Sequence, residues 1–187
     1  MQNTSRIISV LVRNQPGVLM RVAGMFSRRG FNIDSLAVGI TQVTELSRIT
    51  ITMCTDDATL DQVQKQLAKL VEVEEVKVLP KESSVARNLA LFKVSSGEHR
   101  LEILKLADVF RANVIDVSGS ILIMEITGSE DKLNAFYDVL EPYGILEMVQ
   151  TGMVALQRGE QVMRVEKSKL DWPKSDDDEI RDVCMVI

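Results

Sequence analysis

Four consecutive stretches decide how this chain folds: Ile7-Ile8-Ser9-Val10-Leu11-Val12, Arg13-Asn14-Gln15-Pro16-Gly17, the run from Val18 to Arg29, and Gly30-Phe31-Asn32-Ile33-Asp34. Ile7–Val12 is apolar on both faces, the pattern of a central strand covered on at least one side. Val18, Leu19, Val22, Ala23, Met25 and Phe26 fall on one helical stripe, with Arg21, Arg28 and Arg29 on or near the other side. Gly30 is placed to cap that helix. A strand therefore runs into a glycine-bearing turn that opens a helix. Amides at such a helix start have no acceptor within the helix, and the helix dipole favours an anion there. Gly17 has no Cβ to block a close approach, and Pro16 fixes the backbone at the entry to the turn. The amides of Gly17, Val18 and Leu19 would face a small carboxylate, and Asn14 could cap the helix or bond the ligand. Asn32 offers a donor and an acceptor together. The plainer reading has Asn14 as an N-cap, Gly17 as a turn glycine and Asn32 as a turn residue. No nucleophile, base or metal ligand stands nearby, so the stretch points to recognition rather than bond-making.

Downstream, Leu36, Val38 and Ile40 alternate with Ser35, Ala37 and Gly39, and Ile49, Ile51 and Met53 alternate with Arg48, Thr50 and Thr52. Both read as half-buried strands. Asp56 can cap a helix whose apolar face is Leu60, Val63, Leu67 and Leu70, and Val73, Val76 and Val78 mark a further strand. The order β-α-β-β-α-β is the split βαβ, ferredoxin-like unit. It then repeats at an offset of about 82 residues. Leu89–Val94 is strand-like. Ile103, Leu104, Ala107 and Phe110 stripe a helix, and Val114–Ser118 and Ile121–Ile126 are strands. Leu133, Phe136, Tyr137 and Leu140 form a helical face capped by Ser129, and Ile145–Leu156 returns as one extended segment. The expectation is an α+β chain of two tandem ferredoxin-like domains, 5–79 and 88–164, joined through the polar stretch Pro80–Arg87. Residues 165–187, with the acidic run Asp176-Asp177-Asp178-Glu179, read as a flexible tail.

Composition narrows the function. A hydrophobic content of 45% supports real cores, while 4% aromatics and a net charge of -5 disfavour nucleic acid. Cys54 and Cys184 lie far apart in no C-x-x-C pair, which suits a reducing compartment without a disulfide framework or zinc site. His99, flanked by Glu98 and Arg100, reads as a solvated polar residue at a helix start, not as a ligand or base. Glu72, Glu74 and Glu75 suggest alternating exposure along a strand rather than a cation site. The first residues lack a signal-peptide core and no apolar run reaches membrane-spanning length, so a soluble cytoplasmic protein is expected. Cys184-Met185-Val186-Ile187 has the form of a prenylation box, but its upstream neighbours are acidic rather than polybasic.

Asn14-x-Pro16-Gly17-Val18-Leu19, followed by Arg29-Gly30-Phe31-Asn32-Ile33-Asp34-Ser35-Leu36 and by Leu46-Ser47-Arg48-Ile49-Thr50, resembles the ACT domain of the regulatory (small) subunits of acetohydroxyacid synthase, also called acetolactate synthase. Ala112-Asn113-Val114-Ile115-Asp116-Val117-Ser118 and Gly152-Met153-Val154-Ala155-Leu156-x-Arg158-Gly159 resemble the C-terminal domain of the same family. The match runs through residues 5 to 164 in order. It implies a non-catalytic subunit that activates a separate catalytic large subunit and carries feedback inhibition by valine, leucine or isoleucine. Thiamine diphosphate, magnesium and FAD would belong to that catalytic partner, with no cofactor in this chain. The resemblance further implies a homodimer in which two ACT domains pair through edge strands. At that seam Asn14, Gly17 and Val18 of one copy would meet Asn32 and Ile33 of the other, with Pro16 shaping the turn. Covering an exposed edge strand answers a physical need as well. Two other readings stay open: a free-standing tandem ACT sensor of another pathway, and a small ferredoxin-like enzyme such as an acylphosphatase. The latter's Arg–Asn pair is echoed by Arg13-Asn14, without that family's spacing and glycines.

Overall fold

The computed structural model describes residues 3–163, so the expected tail and the Cys184–Ile187 end lie outside the described residues. The first half is β1 (Thr4–Arg13), α1 (Val18–Arg29), β2 (Ser35–Ile40), β3 (Leu46–Thr55), α2 (Asp57–Leu67) and β4 (Val73–Leu79). The second is β5 (Ser84–Ser95), α3 (Arg100–Phe110), β6 (Asn113–Ser118), β7 (Ile121–Gly128), α4 (Glu130–Leu140), β8 (Ile145–Gln150) and β9 (Val154–Gln157). Each half is an antiparallel sheet with two helices on one face. The strand orders are β2-β3-β1-β4 and β6-β7-β5-β8, the same topology twice, with β9 added to β5.

The caps follow local chemistry. Asp56 accepts the Thr59 amide at 2.8 Å and Ser129 accepts the Lys132 amide at 3.4 Å, while Gly30 closes α1 with φ 68. In the first core Ile8, Val10 and Val12 of β1 meet Ile49, Ile51 and Met53 of β3 beneath Val22, Phe26, Val63 and Leu67. Phe92 and Phe136 meet edge-on at 5.3 Å in the second. Two members of the anticipated helix stripes sit at their margins instead: Leu19 is 42% and Tyr137 36% exposed.

The reason β1 is apolar on both faces is visible in the packing. Ile7 is buried with Leu79 and Ala155, and Leu11 with Leu46 and Met163, so β9 and the segment at Met163 help cover the face that the helices leave open. Between them Arg48 donates to the Ser9 hydroxyl at 2.9 Å and to the Met163 sulfur at 3.3 Å.

The extended run Ile145–Leu156 is two strands, not one. β8 pairs with the C-terminal half of β5 and β9 with Ser84–Arg87, and the chain crosses between them at Thr151-Gly152-Met153. The connection between halves is correspondingly short. Only Pro80 and the single turn Lys81–Ser83 precede β5, whose first residues fall within the stretch read as the join. At the crossing the Met153 amide donates to the Ser35 hydroxyl at 3.1 Å. A Cβ on Gly152 would sit 2.3 Å from the Leu36 carbonyl oxygen, so this glycine sets how closely the halves approach. Ser35 and Ala37, the small residues of β2, take up that contact. No helix among the described residues is long and apolar enough to cross a membrane.

Candidate effector-binding site

The turn that carries the first group of candidate residues lies where β1 leaves its sheet. Gly17 is the N-cap of α1 with φ 84, a left-handed conformation that side-chain-bearing residues rarely take. Nothing lies within 4 Å of where its Cβ would stand, so the space over the turn is open. No side chain caps this helix and its first turn holds no acidic residue, which leaves its positive end uncompensated. Val18 is buried beneath it. Its amide is partly engaged, donating to the Gln15 carbonyl at 3.4 Å, so of the three amides expected to face a carboxylate one is shared with the turn.

Asn14 does not cap α1. Its amide donates to the Glu45 carbonyl at 2.7 Å and its side-chain Nδ2 to the Thr44 carbonyl at 3.1 Å. Asn14 thus ties the turn to the β2–β3 connection, a contact across the sheet that displaces the local capping geometry. The neighbouring arginines are engaged by acids of the β4 region. Arg13 Nε pairs with Glu74 at 2.6 Å, and Arg21 pairs with Glu72. Those two glutamates therefore serve as ion-pair partners.

Asn32 and Ile33 lie elsewhere. Asn32 is exposed and donates through Nδ2 to Asp34 Oδ1 at 2.9 Å, while Ile33 rests against the first core. The β2–β3 register runs from Ser35↔Thr52 to Ile40↔Ser47, and β1 ends at Arg13↔Leu46. Asn32 is therefore at one end of this ladder and the Asn14–Gly17 turn at the other, separated by the length of α1, about 18 Å for twelve residues. Within one chain the two groups do not meet. Between them runs β2, the sheet's edge strand, with Val38 48% and Ile40 79% exposed. Alternation along the sequence marks these residues as a strand but does not show that they are exposed. Asp34 was missed as the residue that holds Asn32, although its i, i+2 spacing was available. His99 contacts Glu102 at 3.1 Å and the Tyr143 ring at 5.5 Å.

The comparisons agree across both halves. Residues 8–75 match the family described as AHAS small subunit-like ACT domain, and residues 87–159 match the small subunit of acetolactate synthase. The chain is 49% identical over 160 residues to the acetolactate synthase small subunit of Mycobacterium bovis, covering 85% of this chain and 95% of that one. It is 43% identical over 159 residues to the acetolactate synthase small subunit of Aquifex aeolicus, covering 84% and 83% respectively. The crystal structure of the acetolactate synthase small subunit from Thermotoga maritima superposes with a TM-score of 0.81 at 42% identity, over 84% of this chain and 99% of that chain. With both halves matched in order and the same tandem fold, this chain belongs to the acetolactate synthase small-subunit family.

Proposed function

We infer that this chain activates a catalytic acetolactate synthase large subunit and makes it sensitive to a branched-chain amino acid, valine, leucine or isoleucine, bound between two copies of the chain. The observation that carries the reading is the placement of the two groups at opposite ends of one edge strand. Antiparallel pairing of two β2 strands about a twofold axis sets the start of each beside the end of the other. Asn32 and Ile33 of one copy then approach Asn14, Pro16, Gly17 and Val18 of its partner, and two equivalent seats form. The open amides at the head of α1 receive the effector's carboxylate. The same pairing covers Val38 and Ile40, which as an exposed apolar edge would invite aggregation.

The energies are adequate. A metabolite sensor works between ~1 mM and ~1 μM, about 4 to 8 kcal/mol. Spread over a ligand the size of valine this is ~0.5–1 kcal/mol per heavy atom, within the ceiling for very small ligands. A seat built from two chains has affinity only when they are paired, and that difference lets the ligand bias the assembly. The unit 5–79 carries the effector. The unit 88–164 steadies the pair, meets the large subunit, or both, and the large subunit supplies thiamine diphosphate, magnesium and FAD. Reconstitution tests this reading: mixing the chain with the large subunit should raise the maximal rate and introduce inhibition by valine. An unchanged rate together with unchanged valine response would refute it.

A further inference from the structure

The two groups that would receive an effector differ in chemical sense. At the head of α1 the turn offers backbone amides, which only donate, and no acidic residue stands in the first turn. At the other end of the ladder Asn32 carries a side-chain amide, which can present either a donor or an acceptor. Asp34 decides between them. Its backbone amide donates to the Thr52 carbonyl at 2.9 Å, which ties it to β3, and its Oδ1 accepts from Asn32 Nδ2 at 2.9 Å. A flipped Asn32 amide would set its oxygen against the carboxylate, so the bond selects one orientation. Nδ2 is turned to Asp34 and Oδ1 is left as the acceptor. Both residues are exposed, and Asp34 makes no ion pair among the described residues, so its charge is not cancelled by a neighbouring cation.

We propose that Asp34 is a positioning residue of the shared effector seat: by holding Asn32 it turns Oδ1 toward the effector's ammonium group, so the seat selects an α-amino acid over the acid of the same skeleton without that group. The inference rests on the two-chain seat described under the proposed function. One copy supplies donors for the carboxylate, and its partner supplies an acceptor for the ammonium with a negative charge behind it. Bonds from a charged donor are stronger than neutral ones. A 2-oxo acid would bring a carbonyl oxygen to the place of the ammonium. That oxygen meets Asn32 Oδ1 acceptor to acceptor, and neither finds a donor. Rejection through a polar group left unpaired exceeds what one methylene in a pocket provides. Released from Asp34, the Asn32 amide could rotate by half a turn and offer Nδ2, which serves an oxo acid. Discrimination is therefore a property of the Asp34 contact and not of Asn32 alone.

Valine and isovalerate, which is valine without its ammonium group, are the probes, titrated calorimetrically into the full chain while sedimentation monitors its assembly. The wild-type chain should bind valine about tenfold to a hundredfold more tightly than isovalerate. Asp34→Ala should cut that ratio to about threefold or less, by weakening valine while isovalerate affinity holds. Asp34→Asn keeps the shape of the side chain and an acceptor for Asn32 Nδ2 but loses the charge, so its ratio should fall to an intermediate value. A merely structural role would weaken both ligands together and leave the ratio where it was. An unchanged ratio in both variants, whatever happens to the separate affinities, would overturn the role of Asp34, and valine binding by the wild type would leave the effector reading standing. A wild-type chain that binds no valine would overturn the effector reading itself and this inference with it.

Discussion

Substituting Gly152 by alanine should drive the two halves of the chain apart. The added Cβ would meet the Leu36 carbonyl oxygen at 2.3 Å, the Leu36 carbonyl carbon at 2.6 Å and the Ala37 nitrogen at 3.0 Å. All three are backbone atoms held in the β2–β3 ladder, so no rotamer change relieves the contact. Restoring ordinary carbon–oxygen separation requires the crossing to retreat by about 1 Å. That retreat strains the bond from the Met153 amide to the Ser35 hydroxyl and loosens Ala155 from Ile7 and Leu79. Overpacking of this kind costs about 1–3 kcal/mol. In a protein of this size each kcal/mol moves Tm by about 2–4 °C, so Tm should fall by about 2–12 °C. The melt should also broaden, because the halves lose part of their coupling. Differential scanning calorimetry of the full chain provides the assay. Gly24→Ala is the control: Gly24 lies inside α1 with nothing within 4 Å of its Cβ position, so alanine there should raise stability by about 0.4–1 kcal/mol. A Gly152→Ala chain that melts at or above the wild-type temperature would refute the reasoning.

Three further outcomes follow from the same geometry. Asn14→Ala should weaken valine binding by about fivefold to tenfold, and Gly17→Asp by about a hundredfold or more, since it combines a left-handed backbone with a charge facing the effector's carboxylate; activation of the large subunit should persist in both, and calorimetry beside rate measurements will separate the effects. Ile40→Lys should shift the chain from dimer to monomer in sedimentation experiments, because it places a charge on each edge strand at the seam. Asp56 is held below the ordinary carboxylate value of 3.8, first by the bond from the Thr59 amide, so its charged form is favoured in the folded chain. A depressed folded value means the stabilisation is full above that ordinary value and is lost as pH falls through the folded one; Asp56→Ala should therefore lower Tm near neutral pH and narrow its gap from wild type at strongly acidic pH, read by thermal melts across pH.

How much of this was legible beforehand depended on whether the cause was local. Gly30, Asp56 and Ser129 cap their helices as read, because a cap is decided within four residues. The two-faced burial of β1 was legible in Ile7–Val12 itself, and the repeat of element order disclosed the tandem fold. What escaped was set by distant partners. Asn14 is turned from its helix by the Thr44 and Glu45 carbonyls, which only sheet formation brings near. The break between β8 and β9 occurs at Gly152 because Leu36 lies against it, and no local rule announces that contact. Ser84–Arg87 looks like a linker until β9 pairs with it. The edge-strand residues Val38 and Ile40 are visible as apolar positions, but their exposure could be known only once β2 proved to be an edge.

The claim that the effector seat is shared between two chains can be tested by mixing two forms impaired in effector binding. Asn14→Ala and Asn32→Ala chains should each bind valine poorly alone. After unfolding and refolding together, a mixed dimer carries one seat with both substitutions and one with neither, so about a quarter of all seats should regain wild-type affinity. Calorimetric titration of the mixture with valine reads that fraction directly. Recovery of high-affinity seats only on mixing is the predicted result. A mixture that binds no better than its separate components, while sedimentation shows mixed dimers present, would contradict the account.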